Sequence, residues 1–125
     1  MKVLIVEDEP LERRALEKLI QVSYPERFER ILQARDGQEA VCKAQEEKPE
    51  LILMDINLPL LDGLEAMRRI KEKQRKAKFI MISAYSDYIH LRDAMRNQAI
   101  DYILKPYSAD TLREAVDQVL AGLSL

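Results

Sequence analysis

Apolar residues in this chain gather in short unbroken runs, and each run hands over to a polar residue at its C-terminal end. Leu51-Ile52-Leu53-Met54 leads into Asp55, and Val3-Leu4-Ile5-Val6 leads into Glu7-Asp8. Phe79-Ile80-Met81-Ile82 ends in Ser83, and Tyr102-Ile103-Leu104 ends in Lys105. Runs without polar alternation predict strands buried on both faces, as in a parallel sheet covered by helices. A fifth, mixed stretch from Phe28 to Ala34 predicts an edge strand.

Between these runs the period becomes helical. Pro10 suits a first helical turn, where its missing N–H costs nothing, and the pattern runs to about Val22. Leu11, Ala15, Leu16, Leu19 and Ile20 fall on one side of that helix. Asp36-Gly37 predicts a turn and Gln38 to Glu47 a helix with a narrow stripe at Ala40, Val41 and Ala44. Ile56 to Gly63 reads as a loop, and Leu64, Met67 and Ile70 mark a short helix ending in the charge run Lys71 to Lys78. A further helix is expected from Asp87 to Asn97. The last helix is the clearest, with Ser108 as its cap and Leu112, Ala115, Val116, Val119 and Leu120 in register before Gly122. Strands alternating with helices predict an α/β domain, a doubly wound five-stranded parallel sheet with helices on both faces. The expected strand order is the flavodoxin-like 2-1-3-4-5.

Composition narrows the class. The 125 residues suit one domain, with 47% apolar and 34% charged positions. A formal net charge of −2 gives no basic footprint for direct nucleic-acid binding. One cysteine, Cys42, excludes an internal disulfide and fits a reducing compartment. The N-terminus turns acidic at Glu7, too soon for a signal peptide, and no apolar run reaches membrane-span length. A cytoplasmic location is expected. The final residues, Ala121 to Leu125, suit either a natural end or a cut before a second domain.

In open α/β sheets, ligands sit outside the carboxyl ends of the strands. Parallel strands would bring Glu7, Asp8, Asp55, Ser83 and Lys105 to one such rim. Each has an ordinary structural reading as a cap, a turn former or a solvated end. The joint set of three acids, a hydroxyl and an ammonium points to chemistry. Three carboxylates against one ammonium leave about two negative charges close together, which a divalent cation neutralises. Mg²⁺ takes a few oxygen ligands, keeps several waters and shares its shell with phosphate. Asp8 and Asp55 can coordinate it directly and Glu7 through water. A phosphoryl group on Asp55 would find the metal, the Lys105 ammonium and the Ser83 hydroxyl around its oxygens. Elsewhere the residues read as structural: His90 has no ligand partner, Cys42 no motif, Tyr88 packs, and Arg68 to Lys78 is a solvated helix end.

The ordered set Val6-Glu7-Asp8-Glu9, Leu53-Met54-Asp55-Ile56-Asn57-Leu58-Pro59, Asp62-Gly63, Ile82-Ser83-Ala84 and Asp101-Tyr102-Ile103-Leu104-Lys105-Pro106 resembles the receiver domain of two-component response regulators. The resemblance covers essentially all of the chain, residues 1–125, as a receiver or as the N-terminal part of a longer regulator. It implies phosphorylation of Asp55 by a sensor histidine kinase. It implies Mg²⁺ held by Asp8, Asp55 and the main-chain carbonyl of Asn57, with Glu7 in the second acidic position. Ser83 would be the switch hydroxyl, Tyr102 the switch aromatic, Lys105 the phosphoryl partner and Lys105–Pro106 a cis peptide. Glu7 replaces the commoner aspartate and Ser83 the commoner threonine, and both keep the chemistry.

The stretch Ser83-Ala84-Tyr85-Ser86-Asp87-Tyr88, followed by Ala99-Ile100-Asp101-Tyr102, is similar to regulators with an AraC-type helix-turn-helix output. DNA would then be reached only through that output domain. A homodimer through the last two helices and strand is expected, with Arg92, Asp93, Arg96, Asp110, Arg113 and Glu114 as pairing charges. The competing reading is a small Mg²⁺-dependent phosphatase with an aspartyl-phosphate intermediate, of the haloacid dehalogenase type. That class prefers an aspartate two residues beyond the nucleophile, where this chain has Asn57. A flavodoxin-like nucleotide carrier is disfavoured because no Gly/Ser/Thr-rich phosphate loop follows Val6.

Overall fold

The computed structural model describes residues 1–84, 92 and 101–123. The strands are β1 (Lys2–Val6), β2 (Arg30–Ala34), β3 (Leu51–Asp55), β4 (Lys78–Ala84) and β5 (Asp101–Lys105). The described helices are α1 (Pro10–Ser23), α2 (Gly37–Glu47), α3 (Gly63–Lys73) and α4 (Ala109–Leu123). Apart from residue 92, the expected helix at 87–97, with Tyr88 and His90, lies outside the described residues.

All strand pairs are parallel, in the order β2-β1-β3-β4-β5. This is the expected flavodoxin-like order. Strand residues alternate between two apolar layers. Leu4, Val6, Ile52, Met54, Phe79 and Met81 face α2 and α3, where they meet Ala40, Ala44, Met67 and Ile70. Val3, Ile5, Leu51, Leu53, Ile80 and Ile82 face α1 and α4, where they meet Leu16, Ile20, Leu112 and Val116. Every residue of β3 is buried, because helices cover both of its faces. Fully burying each such aliphatic side chain contributes about 1.5–3 kcal/mol.

Several boundaries differ from expectation. The second strand starts at Arg30; Phe28 precedes it and plugs the α1 layer, its ring edge-on to Tyr24 at 6.0 Å. Asp36 is the α2 N-cap, accepting the Glu39 amide at 2.8 Å, so Gly37 opens the helix and does not end a turn. A Cβ on Gly37 would stand 1.9 Å from the Leu61 carbonyl oxygen, so only glycine fits that approach. The apolar side of α1 is narrower than its pattern: Leu16 and Ile20 are buried, whereas Ala15 is exposed and Leu11, in the first turn, is 73% exposed. α3 runs into the charge run as far as Lys73, and the rest of that run is turn and strand. α4 continues through Gly122 to Leu123, with Ser108 accepting the Thr111 amide at 3.1 Å.

Candidate functional site

β1 and β3 are adjacent and parallel, so their carboxyl ends place Glu7, Asp8 and Asp55 together. One carboxylate oxygen from each lies within 4.8 Å of the other two. Glu7 and Asp55 are buried and Asp8 is exposed. The Glu7 carbonyl accepts the Arg13 guanidinium at 2.8 Å, and its amide donates to Ala34 at 3.1 Å, which fixes the turn into α1. Asp55 Oδ1 accepts the Asn57 amide at 2.9 Å, and the Ile56 amide donates across to Ile82 at 3.0 Å. The next turn is tight: the Leu61 amide donates to Pro59 at 2.7 Å around Leu60, whose φ is 68°. Asp62 then caps α3, accepting the Glu65 amide at 2.9 Å, and Gly63 brings the helix start against β3 by donating to Ile56 at 2.8 Å.

Lys105 reaches this rim from β5, next to β4, whose Ala84 is its pairing partner. Its Nζ lies 2.7 Å from Asp55 Oδ2, 2.9 Å from Glu12 Oε2 and 3.4 Å from Glu7 Oε1. The Lys105–Pro106 peptide is cis. Together Glu7, Asp8, Glu9, Glu12, Asp55, Asn57, Ala84 and Lys105 line an open cleft of about 270 Å³.

The charges are strongly coupled. Burial first, then hydrogen bonds to Glu12 and Asp55, push the Glu7 carboxyl up to about 9. Burial alone would lower the Lys105 ammonium, but hydrogen bonds to Asp55 and Glu12 outweigh it and hold the group above the usual lysine range. Hydrogen bonds to Glu7 and Lys105 hold Glu12 below the usual carboxylate range. Burial raises the Tyr107 hydroxyl, which lies beside Lys105, to about 12.

The structure therefore gathers Glu7, Asp8, Asp55, Asn57 and Lys105. Ser83 is buried at the end of β4, and its hydroxyl donates to the Ala84 carbonyl at 2.8 Å. Tyr102 stands on edge strand β5, opposite Met81 and 36% exposed. Glu12 and Tyr107 were not anticipated. An acid in the first turn after an acid pair is a faint signal for Glu12; Tyr107 had none beyond its place two residues after Lys105.

Residues 3–117 match the family described as the response regulator receiver domain. The chain belongs to that family. The chemotaxis protein CheY of Listeria monocytogenes is 38% identical over 118 residues, covering 94% of this chain and 97% of that protein. This receiver also superposes on a two-component transcriptional regulator AraC from Clostridium phytofermentans with a TM-score of 0.84 and 32% identity, covering 100% of this chain and 99% of the other. The receiver domain of the Pseudomonas aeruginosa sensor histidine kinase PA1611, described with magnesium coordinated in its active-site cleft, gives 0.80 and 28%, covering 96% and 97%. Receivers are regulatory phosphoacceptors and not classical enzymes, so the phosphatase alternative lacks support beside this assignment. Among the described residues, no helix is long and apolar enough to cross a membrane.

Proposed function

We propose that this receiver accepts a phosphoryl group on Asp55 from a sensor histidine kinase in a Mg²⁺-dependent reaction, and that this switches an output surface controlling transcription. The observation that carries the reading is Asp55 itself. It is a buried strand-end carboxylate with Lys105 Nζ at 2.7 Å and two further acids within 4.8 Å. The three acids and the open cleft suit a hard divalent cation: oxygen donors converge, and the negative charge exceeds what Lys105 offsets. Asp8, Asp55 and the Asn57 carbonyl would hold the ion, with Glu7 acting through water. When bound, Mg²⁺ supplies positive charge against the phosphoryl oxygens.

The chain's own groups do the rest. The Asn57 amide holds Asp55 Oδ1 and leaves Oδ2 facing the cleft as nucleophile. In the transfer, the donor's P–N bond breaks as the P–O bond to Asp55 forms. Lys105 then stabilises the phosphoryl oxygens by a charge-assisted hydrogen bond. Ser83 would turn from the Ala84 carbonyl toward the new dianion, and Tyr102 would move into the space it leaves. Output would then pass to α4, β5 and the segment 87–97. Of the expected pairing charges, Asp110 and Arg113 pair with each other within α4. Control of transcription is supported by the likeness to the AraC transcriptional regulator, while CheY is a chemotaxis protein. Intact-mass analysis after a small phosphodonor and Mg²⁺ should show one added phosphoryl group, absent in Asp55→Asn. A full-yield adduct in that variant would overturn the assignment.

A further inference from the structure

Lys105 is shared among more carboxylates than the proposed phosphotransfer uses. An ammonium has three N–H donors and no acceptor. Here all three are engaged, by Asp55 Oδ2 at 2.7 Å, Glu12 Oε2 at 2.9 Å and Glu7 Oε1 at 3.4 Å. Glu7 and Asp55 belong to strand ends and are buried, with side-chain exposures of 3% and 9%. Glu12 comes from the first turn of α1, its side chain is 52% exposed, and it lies 93 residues from Lys105 in sequence. It reaches over the cleft and lines it with Asp8 and Asn57.

We infer that Glu12 is a positioning residue: it holds the Lys105 ammonium while Asp55 is unmodified and competes with an incoming phosphoryl group for it. The inference rests on the reading of Asp55 as phosphoacceptor. Phosphorylation makes Asp55 Oδ2 the bridging ester oxygen, a weaker acceptor, and the ammonium can follow the charge onto the phosphoryl oxygens only as far as its other two bonds let it move. Of those two, Glu12 is the arm released more cheaply, because its half-exposed carboxylate regains water while Glu7 would stay dry. The Glu12 bond therefore opposes phosphoryl occupancy and favours return to the unmodified state. Since the pair is partly exposed, the opposition is modest and weakens with salt. Glu12 thus sets the donor concentration at which the site fills, without touching the transferred group.

The test uses fluoroberyllate, a tetrahedral anion that takes the phosphoryl position on an aspartate, with saturating Mg²⁺ and ¹⁹F resonances to read bound and free anion. The proteins are wild type, Glu12→Gln, Lys105→Met, the double variant and Asp55→Asn. Glu12→Gln should bind the anion about twofold to fivefold more tightly than wild type, the range an exposed ion pair supports. In the Lys105→Met background the same substitution should change binding little, since no ammonium is left to contest. An equal gain in both backgrounds would show mere charge repulsion and overturn the inference. Unchanged or weaker binding in Glu12→Gln, with wild type binding normally, would also overturn it and leave the phosphoacceptor reading intact. If wild type failed to bind, or Asp55→Asn bound equally well, the phosphoacceptor reading and the inference would fall together.

Discussion

The main-chain oxygen of Asp55 lies 2.3 Å from the point that a Cβ on Gly63 would occupy. The start of α3 is thus seated directly on the end of β3. A second backbone atom, Ile56 Cα, lies 2.8 Å from the same point, so no side chain can swing aside to make room. Gly63→Ala should cost about 1–3 kcal/mol in urea unfolding, as overpacking does, and should lower the yield of phosphoryl adduct by displacing Asp55. Wild-type stability and yield in that variant would show that the two elements can separate freely.

The Tyr24 hydroxyl ties α1 to α4, donating to Asp117 Oδ1 at 2.6 Å and lying 3.2 Å from the Arg113 carbonyl. Tyr24→Phe should cost about 1 kcal/mol at neutral pH. Burial, then the hydrogen bond and charge of Asp117, raise the hydroxyl above its ordinary 10.0. A raised folded-state value means that this contribution is complete below the unfolded value and fades as pH climbs beyond it. Wild type should therefore lose stability relative to Tyr24→Phe above about pH 10, read by denaturant titrations. A constant gap between the two would contradict this.

Glu7 makes a different prediction about pH. Its folded value of about 9 stands above the ordinary 4.5, so its contribution is complete below 4.5 and is lost as pH rises toward 9. Without divalent metal, Glu7→Gln should melt about 3–6 °C above wild type at pH 8.5 and close to it at pH 4. Added Mg²⁺ should narrow the high-pH gap, because a cation favours the charged form and stabilises the state that binds it. Asp8→Ala should weaken Mg²⁺ binding in titration more than Glu7→Gln does. Melting curves that stay parallel across pH and metal would place the titrating group elsewhere.

Ser83 is expected to be a coupling group and not a support for the fold. Among the described residues its hydroxyl bonds to a neighbouring carbonyl, and Ser83→Ala should change stability by about 1 kcal/mol or less. Phosphorylation should persist in that variant, while the association induced by fluoroberyllate, measured by sedimentation velocity, should weaken. Equal association in both proteins would remove Ser83 from the path.

The strand-end acids were legible in the sequence because β3 is covered on both faces, and that condition enforces an unbroken apolar run up to Asp55. The same logic failed at Phe28, where one apolar residue among charges belongs to the core without belonging to a strand. The caps Asp36 and Asp62 carried a readable signal, an acid followed three residues later by Glu39 and Glu65. A glycine follows each acid and imitates a turn signal, yet both glycines open helices. Glu12 was beyond local reading. Whether it meets Lys105 depends on the rotation of α1 about its axis and on the side of the sheet where β5 lies, and neither is written within one segment.

The sharing of Lys105 also has a consequence for how the chain is made. Glu7, Asp8, Glu12 and Asp55 all emerge from the ribosome within the first three strands, which neighbour one another in the order β2-β1-β3. The cation that Glu7, Glu12 and Asp55 share follows 50 residues after Asp55. A nascent chain that has paired these strands carries a cluster of acids with no lysine to answer it. Partial assemblies of this half should therefore depend on dissolved cations or on protonation, and that dependence should relax once β5 docks.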